Sequence, residues 1–405
     1  MIRSALPGRP ALPALAALLT LAAAVAPAAV APAAAAQAAA GYATAGHGAA
    51  ARPVVGGPVV GGPVVGGPQL AGRGVIVNYP AHAARKLPRV PASAYLIADA
   101  TTGQVLAAKD PHGHFLPAST LKILTVDALM PALSPARTVV TSHMAAVVTP
   151  SRVGLIQGHR YRVGDLFRAL LLISANDAAI SLAQATGSYH KGVAMMNAEA
   201  RHLRADDTVA VRPNGLNARG QHTSAYDLAL FARQALHLPG FLRIERLHVA
   251  KFPLYRRAKV NLWNQNALLG SYPGDIGGKI GWTTQARATY IGWARRGGHT
   301  LIVTLMHCTP LTEMVYAAKL LNWGFAMDGK VRPVGQLAAP LRARPAGHPV
   351  PAGPATVPRV ARQVRTSGFP VAAGAAALLV VAALVAVIVT VAVRRPPGGG
   401  SQPGP

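Results

Sequence analysis

The stretch Phe115-Leu-Pro-Ala-Ser-Thr-Leu-Lys122 decides how the rest of the sequence is interpreted. Ser119 and Lys122 are three residues apart, so on a helix they lie on one face, and Pro117 suits an abrupt helix start. A serine hydroxyl becomes a nucleophile when a base removes its proton, and a lysine can be that base if its pKa is lowered. Alone, the pair is weak evidence, because most Ser-x-x-Lys pairs are a helix cap and a solvated lysine.

Two further polar segments follow along the chain. Leu171-Leu-Ile-Ser-Ala-Asn-Asp177 places Ser174 and Asn176 after an apolar run, which fits a helix cap or a pair of catalytic polar groups. Gly277-Gly-Lys-Ile-Gly-Trp-Thr-Thr284 surrounds Lys279 with glycines, which let the backbone of a substrate approach closely. Each segment is weak evidence when taken alone.

In this order, Ser-x-x-Lys, Ser-x-Asn and Lys-x-Gly resemble the three motifs of the penicillin-recognising serine acyltransferases. The connecting segments Asp99-Ala-Thr-Thr-Gly103, Asn214-Gly-Leu-Asn217 and Thr223-Ser-Ala-Tyr-Asp227 are similar to segments of the same family. The sequence therefore resembles the D-alanyl-D-alanine carboxypeptidases, the low-molecular-mass penicillin-binding proteins. The resemblance implies an α/β (α+β) fold like that of DD-peptidases and β-lactamases, with a mixed sheet, flanking helices and a helical subdomain.

The resemblance also implies roles in catalysis for the first two motifs. Ser119 would attack the carbonyl carbon between the two terminal D-alanines of a peptidoglycan stem peptide, with Lys122 as the general base. Ser174 would help to pass the proton to the leaving amine, and Asn176 would hydrogen-bond the substrate or Lys122. No metal and no cofactor is needed, and β-lactams would be covalent inhibitors.

The third motif would bind the substrate. Lys279 would hold the terminal carboxylate, with Gly281 and Thr283 beside it, and the backbone N–H groups of Ser119 and Trp282 would form the oxyanion hole. The family has Lys-Thr-Gly here, but this chain has Ile280 in place of the threonine. An isoleucine cannot donate a hydrogen bond to the carboxylate, so a weak or inactive peptidoglycan-binding scaffold with the same fold stays open as an alternative.

A β-lactamase is a further alternative, but the glutamates argue against it. Between the second and third motifs the only glutamates are Glu199 and Glu245. Neither lies in the Glu-x-x-Leu-Asn pattern that deacylating β-lactamases use. We therefore expect a peptidase rather than a β-lactamase.

Both ends of the chain have the features of membrane-directed segments. Residues 1–36 carry Arg3 and Arg9 before an apolar run and a small-residue cleavage site, as in a signal peptide. Residues 371–393 are 23 residues without a charge, enough to span a hydrocarbon core of about 30 Å. Arg394 and Arg395 follow, so residues 394–405 would form a short cytoplasmic tail. We expect a single-pass cell-membrane protein with its catalytic domain outside the cytoplasm.

The segments between these ends divide by composition. Residues 37–74 contain three copies of Pro-Val-Val-Gly-Gly and are predicted to be a linker, and 331–370 are predicted to be a Pro/Ala/Arg-rich linker. The catalytic domain is predicted over 75–330. Strands are expected at Ala94–Ala98, Gln104–Ala108, Thr289–Trp293 and Thr300–Met306, and helices at Ser119–Leu129, Val163–Leu172, Asp177–Ala185 and Ser224–Leu236.

Charge and cysteine content limit the other classes of function. The 405 residues carry 40 Lys+Arg against 13 Asp+Glu, a net charge of +27, but much of it lies in the flanks, so we expect no nucleic-acid partner. The single cysteine, Cys308, rules out an internal disulfide and a Cys-based zinc site. His112 and His114 have no evident third ligand nearby in the sequence, and Asp206-Asp207 is expected to be a solvated turn.

Overall fold

A computed structural model describes residues 63–82, 85–256 and 258–342. The predicted signal peptide at 1–36, most of the first linker, the spanning segment at 371–393 and the tail at 394–405 lie outside these ranges. Within them, none of the helices combines the length and the apolar character needed to cross a membrane.

The strands are numbered in chain order. They are β1 (Val75–Ile76), β2 (Ala92–Asp99), β3 (Gln104–Lys109), β4 (Thr138–Val140), β5 (Arg160–Arg162), β6 (Val249–Tyr255), β7 (Ala258–Trp263), β8 (Asp275–Thr283), β9 (Arg287–Arg296), β10 (His299–Cys308) and β11 (Gly335–Gln336).

Eight α-helices and two 3-10 helices occur in the described residues. The α-helices are α1 (Lys122–Leu129), α2 (His143–Ala146), α3 (Val163–Leu172), α4 (Asn176–Ala185), α5 (Tyr189–His202), α6 (Ala225–Ala235), α7 (Phe241–Glu245) and α8 (Glu313–Met327). The 3-10 helices are Pro68–Ala71 and Ala118–Leu121.

The main sheet has seven strands in the order β8-β9-β10-β2-β3, and β1 and β11 both pair with β3. All of its pairings are antiparallel. The predicted mixed sheet is therefore wrong in this respect. The chain builds the sheet largely from adjacent hairpins, and a parallel pair would need a longer crossover connection.

Two hydrophobic clusters cover the two faces of this sheet. Along β2, Leu96 and Ala98 belong to the cluster that contains α1, α3, α4 and α6, whereas Tyr95 and Ile97 belong to the cluster that contains α8. This is the alternation that a strand imposes on its side chains. The helices rich in motif residues thus lie on one face, and the helix near the end of the domain covers the other.

Packing extends beyond both predicted domain boundaries. Leu70 is fully buried although it lies in the segment predicted to be a linker, and on the other side Val334 and Leu337 are buried next to β11. Packing therefore reaches Leu70 on one side and Leu337 on the other, beyond the predicted 75–330.

Candidate active site

Ser119 lies at a junction between two kinds of helix. It is in the 3-10 helix Ala118–Leu121, which runs directly into α1, so the predicted helix from Ser119 to Leu129 begins as a tighter turn. The hydroxyls of Thr120 and Thr289 both donate to the carbonyl oxygen of Pro117, at 2.6 and 2.9 Å. These bonds fix the entry to the helix and tie it to β9, so the position of Ser119 is set from both sides.

Lys122 is fully buried and its amine contacts three oxygens. Its Nζ atom is 2.8 Å from Ser119 Oγ, 2.7 Å from Asn176 Oδ1 and 2.7 Å from the Asn214 carbonyl oxygen. Burial and the nearby ammonium group of Lys279 hold the pKa of Lys122 well below its ordinary value. The arrangement therefore favours a neutral amine.

A neutral amine has two N–H donors and one lone pair. The Asn214 oxygen can only accept, and the side-chain amide nitrogen of Asn176 donates to the Thr149 carbonyl oxygen at 2.8 Å, so Asn176 Oδ1 is fixed as an acceptor. These two acceptors use both N–H groups. The lone pair is then directed at Ser119, whose hydroxyl is the remaining partner and can donate to it.

Ser174 lies in the turn between α3 and α4, and Asn176 is the first residue of α4. The backbone N–H of Asn176 donates to the Ser151 carbonyl oxygen at 2.8 Å, which holds the start of α4 in place. Ser174 has a left-handed φ of 60°, and its buried Oγ atom has no hydrogen-bond partner in the described part of the chain. A buried hydroxyl without a partner is available to a substrate group or a migrating proton.

Strand β8 brings the third motif to Ser119. Lys279 is 1% exposed, and its Nζ atom donates to the carbonyl oxygen of Ile280 at 2.7 Å. A Cβ atom added at Gly281 would lie 2.7 Å from the backbone nitrogen of Ser119. Only glycine therefore lets the strand pass this close to the nucleophile. Trp282 follows on the same strand.

The side chains at 280 and 283 are already engaged. Ile280 packs against the cluster that contains α8. The Thr283 hydroxyl donates to Asn217 Oδ1 at 3.0 Å and accepts from the backbone N–H of Ala286 at 3.0 Å. Thr283 is therefore bonded to the Asn214–Asn217 segment, and both partners of its hydroxyl belong to the protein.

Sequence reasoning missed two groups at this site. The Asn214 carbonyl oxygen binds Lys122, and Glu245 is buried under β8, where its Oε2 atom accepts from the N–H of Gly278 at 3.1 Å. The similarity of the Asn214–Asn217 segment to the family was a signal for the first. Nothing in the pattern around Glu245 indicated the second.

The interpretation of Asp206-Asp207 as a solvated turn is wrong for Asp207. Its carboxylate lies 2.6 Å from His112 Nδ1 and 3.3 Å from His114 Nε2. Burial would raise the pKa of Asp207, but the hydrogen bonds with His112 and His114 outweigh it and hold the pKa below its usual range. The two histidines thus serve to anchor a loop.

One group of three possible metal ligands occurs in the described ranges, formed by Asp99, His299 and Asp328. Asp99 ends β2 and His299 begins β10, whereas the residues of β9 that pair with Lys279 and Gly281 lie toward the opposite end of the sheet. This group contributes nothing to the surroundings of Ser119.

The chain is similar to known D-alanyl-D-alanine carboxypeptidases. The D-alanyl-D-alanine carboxypeptidase family, peptidase family S11, matches residues 81–309. The chain is 38% identical to the D-alanyl-D-alanine carboxypeptidase DacB2 of Mycobacterium tuberculosis, over 60% of this chain and 85% of that protein. It is 30% identical to DacF of Bacillus subtilis, over 58% of this chain, but spans only 62% of that relative's length.

A solved structure of a D-alanyl-D-alanine carboxypeptidase from Mycobacterium tuberculosis superposes with a TM-score of 0.61 at 37% identity, covering 64% of this chain and 99% of that one. The family match at residues 81–309 includes all three motifs. It therefore also includes the contact between Lys122 and Ser119. This protein belongs to peptidase family S11, the serine hydrolases known as D-alanyl-D-alanine carboxypeptidases.

Proposed function

We propose that this protein is a membrane-anchored, extracytoplasmic serine carboxypeptidase that removes the terminal D-alanine from peptidoglycan stem peptides through an acyl-enzyme. The observation that carries the proposal is the contact between Lys122 Nζ and Ser119 Oγ at 2.8 Å, with both N–H groups of a neutral Lys122 used by other acceptors. A base with a depressed pKa next to a serine hydroxyl is the requirement for nucleophilic attack.

In the acylation step, Ser119 Oγ forms a bond to the carbonyl carbon of the penultimate D-alanine while its proton moves to Lys122 Nζ. The negative oxygen of the tetrahedral intermediate would be stabilised by the backbone N–H groups of Ser119 and Trp282. The proton then passes, with the help of the Ser174 hydroxyl, to the nitrogen of the terminal D-alanine. The C–N bond breaks, D-alanine leaves, and an ester to Ser119 remains.

In the second step, water attacks the ester carbonyl and gives its proton to Lys122. The ester bond breaks, Ser119 recovers a proton, and the shortened peptide leaves with a new carboxylate. The sum is the hydrolysis of one peptide bond. A β-lactam would form an analogous ester to Ser119, because its strained amide presents a carbonyl and a carboxylate in a similar arrangement. Its ring C–N bond breaks, and the nitrogen takes the proton but stays attached to the acyl group.

The terminal carboxylate of the substrate would bind to Lys279. Gly281 and Thr283 would line the same side of the cleft, and Asn176 would hold Lys122 and contact the substrate amide. Because Ile280 replaces the usual threonine, Lys279 carries more of this interaction. Loss of a hydrogen bond to a charged group costs about 1.5–3 kcal/mol, which weakens binding without removing the acylation machinery.

Anchoring and location are part of the proposal. The features that support them are the n-region and apolar run of residues 1–36 and the uncharged 371–393 followed by two arginines. The basic flanks and the tether would keep the domain near an anionic wall. A nucleic-acid role has no support from the motifs.

A direct test is covalent labelling of the full chain by a fluorescent penicillin, beside Ser119→Ala. The proposal expects label on the parent protein and none on the variant. The alternative of an inactive peptidoglycan-binding scaffold, which Ile280 favours, expects no covalent label on either protein but retained binding to purified peptidoglycan.

A further inference from the structure

Glu245 places a buried carboxyl group under the strand that carries Lys279. It is the last residue of α7 and is 1% exposed. Its Oε2 atom accepts from the N–H of Gly278 at 3.1 Å, and the Asn264 side chain donates to the Glu245 carbonyl oxygen at 2.9 Å. Both ends of the residue are therefore fixed against β8 and the segment before it.

The carboxyl group lies on the same face of β8 as the lysine. A Cβ atom added at Gly277 would lie 2.9 Å from Glu245 Cβ and 3.0 Å from its Oε2 atom, so Glu245 occupies the space that a side chain at 277 would need. Strand side chains alternate, and the register from 277 to 279 is regular, so Lys279 emerges on that same face.

The two groups interact through charge and not through a short contact. The ion pairs within 4 Å in the described residues do not include Lys279 with Glu245. Burial lowers the pKa of Lys279 to about 8, and the Glu245 carboxylate opposes that shift. Burial raises the pKa of Glu245 to about 8, and the Lys279 ammonium opposes that shift in turn. The carboxylate is therefore ionised in the alkaline range, in which Lys279 would otherwise lose its proton.

Two further observations indicate that this carboxyl group has a purpose beyond packing. Its second oxygen, Oε1, is buried without a hydrogen-bond partner among the described residues, which is costly for a group that serves only structure. The cation whose charge acts on Glu245 is Lys279, a lysine that must stay charged to bind a carboxylate. A buried charge is retained when an opposite charge compensates it.

We propose that Glu245 is a positioning residue of the substrate-carboxylate site, whose negative charge keeps Lys279 in its ammonium form. The proposal rests on the function proposed above for Lys279. It also gives a reason why this site tolerates Ile280, because the remaining carboxylate-binding group is held charged by a resident counter-charge.

Other ionisable groups lie near this region, and their effects on a pH profile have to be distinguished from the effect of Glu245. Lys122 lies across the cleft, and burial and the Lys279 ammonium lower its pKa. Its neutral form is the one that removes the serine proton, so its titration gives the low-pH limb of the rate profile and not the high-pH limb. Burial raises the pKa of Tyr290, from β9, well above its ordinary value, so it stays neutral; Glu313 from α8 acts on the same tyrosine. Burial raises the pKa of Asp275 to about 7, so this group on β8 titrates in the relevant range.

The test is the second-order rate constant for acylation of the full chain by benzylpenicillin, measured from pH 5 to pH 10. In Glu245→Gln the amide oxygen can still accept from Gly278, but the charge is gone. We expect the high-pH limb of the profile to move down by about one pH unit or more, since an unaided buried lysine loses its proton more readily. Glu245→Asp should restore the limb toward the parent, and Asp275→Asn should leave it in place.

Two results would overturn the inference while leaving the acylation proposal intact. One is that the acylation rate of Glu245→Gln falls at the same alkaline pH as that of the parent protein, even if the rate is lower by a constant factor at every pH. The other is a shift produced by Asp275→Asn and absent from Glu245→Gln. A parent protein that benzylpenicillin does not acylate at any pH would remove both the inference and the function on which it rests.

Discussion

Lys122 Nζ lies 2.8 Å from Ser119 Oγ, and its other two hydrogen-bond partners, Asn176 Oδ1 and the Asn214 carbonyl oxygen, can only accept. In the neutral state the lysine lone pair therefore faces the serine hydroxyl. Because burial and Lys279 hold the pKa of Lys122 well below its ordinary value, this state is populated at lower pH than for a solvated lysine.

The first prediction concerns this base. Lys122→Gln keeps a polar side chain of similar reach but cannot take a proton, so we expect the acylation rate with penicillin to fall by about 10²–10⁴. In the parent protein the rate should rise with pH as Lys122 loses its proton. Lys251→Gln, at an exposed position, is the matched control and should leave the rate unchanged. Equal rates for both variants would mean that another group removes the serine proton.

The second prediction concerns the approach of β8 to the nucleophile. A Cβ at Gly281 would lie 2.7 Å from Ser119 N and 2.9 Å from Thr120 N, so Gly281→Ala must displace either the strand or the 3-10 helix. We expect at least a 10²-fold loss of acylation, the size seen when an oxyanion donor is lost. Gly74→Ala, where an added Cβ meets nothing within 4 Å, serves as the control. Acylation of Gly281→Ala at the parent rate would argue against the close approach.

The third prediction concerns Ile280. Ile280→Thr restores the hydroxyl that the family has at this position, although Ile280 itself packs against the α8 cluster. If the new hydroxyl turns to the substrate carboxylate, KM for a D-Ala-D-Ala peptide should fall by about tenfold or more, since a hydrogen bond to a charged group is worth about 1.5–3 kcal/mol. Ile280→Val has the branched shape of threonine without the hydroxyl, so its KM should resemble that of the parent protein. If both variants behave alike, the hydroxyl does not reach the carboxylate.

The fourth prediction concerns stability at acid pH. The hydrogen bonds with His112 and His114 hold the pKa of Asp207 below its unfolded value of about 3.9. A depressed folded-state pKa adds stability that is present above the unfolded pKa and is lost as the pH falls below it. Asp207→Asn should therefore lower Tm at pH 7, at a cost of about 2 kcal/mol, and the difference from the parent should shrink below pH 4.

Asp206→Asn is the control for this measurement, because Asp206 is the adjacent acid and is exposed. We expect it to follow the parent across the whole pH range. A constant difference in Tm between Asp207→Asn and the parent at every pH would show that Asp207 stabilises the loop by shape and not by charge.

The sequence pattern predicted the elements whose period is clear. Helix α3 occupies Val163–Leu172, the bounds that its apolar spacing indicated, and the strands expected at Thr289–Trp293 and Thr300–Met306 pair as the β9–β10 hairpin. Helix α8 was missed because its sequence is apolar on nearly every face, so no period separates a buried side from a solvent side. In β6, Pro253 weakens the strand signal.

Some residues of the site could be predicted from the sequence, and others could not. Ser119, Lys122 and Asn176 are brought together as the motif order predicted, because side-chain chemistry is visible in a sequence. The Asn214 carbonyl oxygen is a backbone group that every residue has, so only the family similarity of the Asn214–Asn217 segment pointed to this part of the chain. Glu245 was set aside for lacking a deacylation motif, and only the fold shows that it lies on the Lys279 face of β8.

The measurement that tests the central claim most directly is the release of free D-alanine from diacetyl-Lys-D-Ala-D-Ala by the full chain, beside Ser119→Ala. We predict release that continues over many turnovers in the parent protein and is absent in the variant. Release that persists in Ser119→Ala, or none from a parent protein that still binds peptidoglycan, would contradict it.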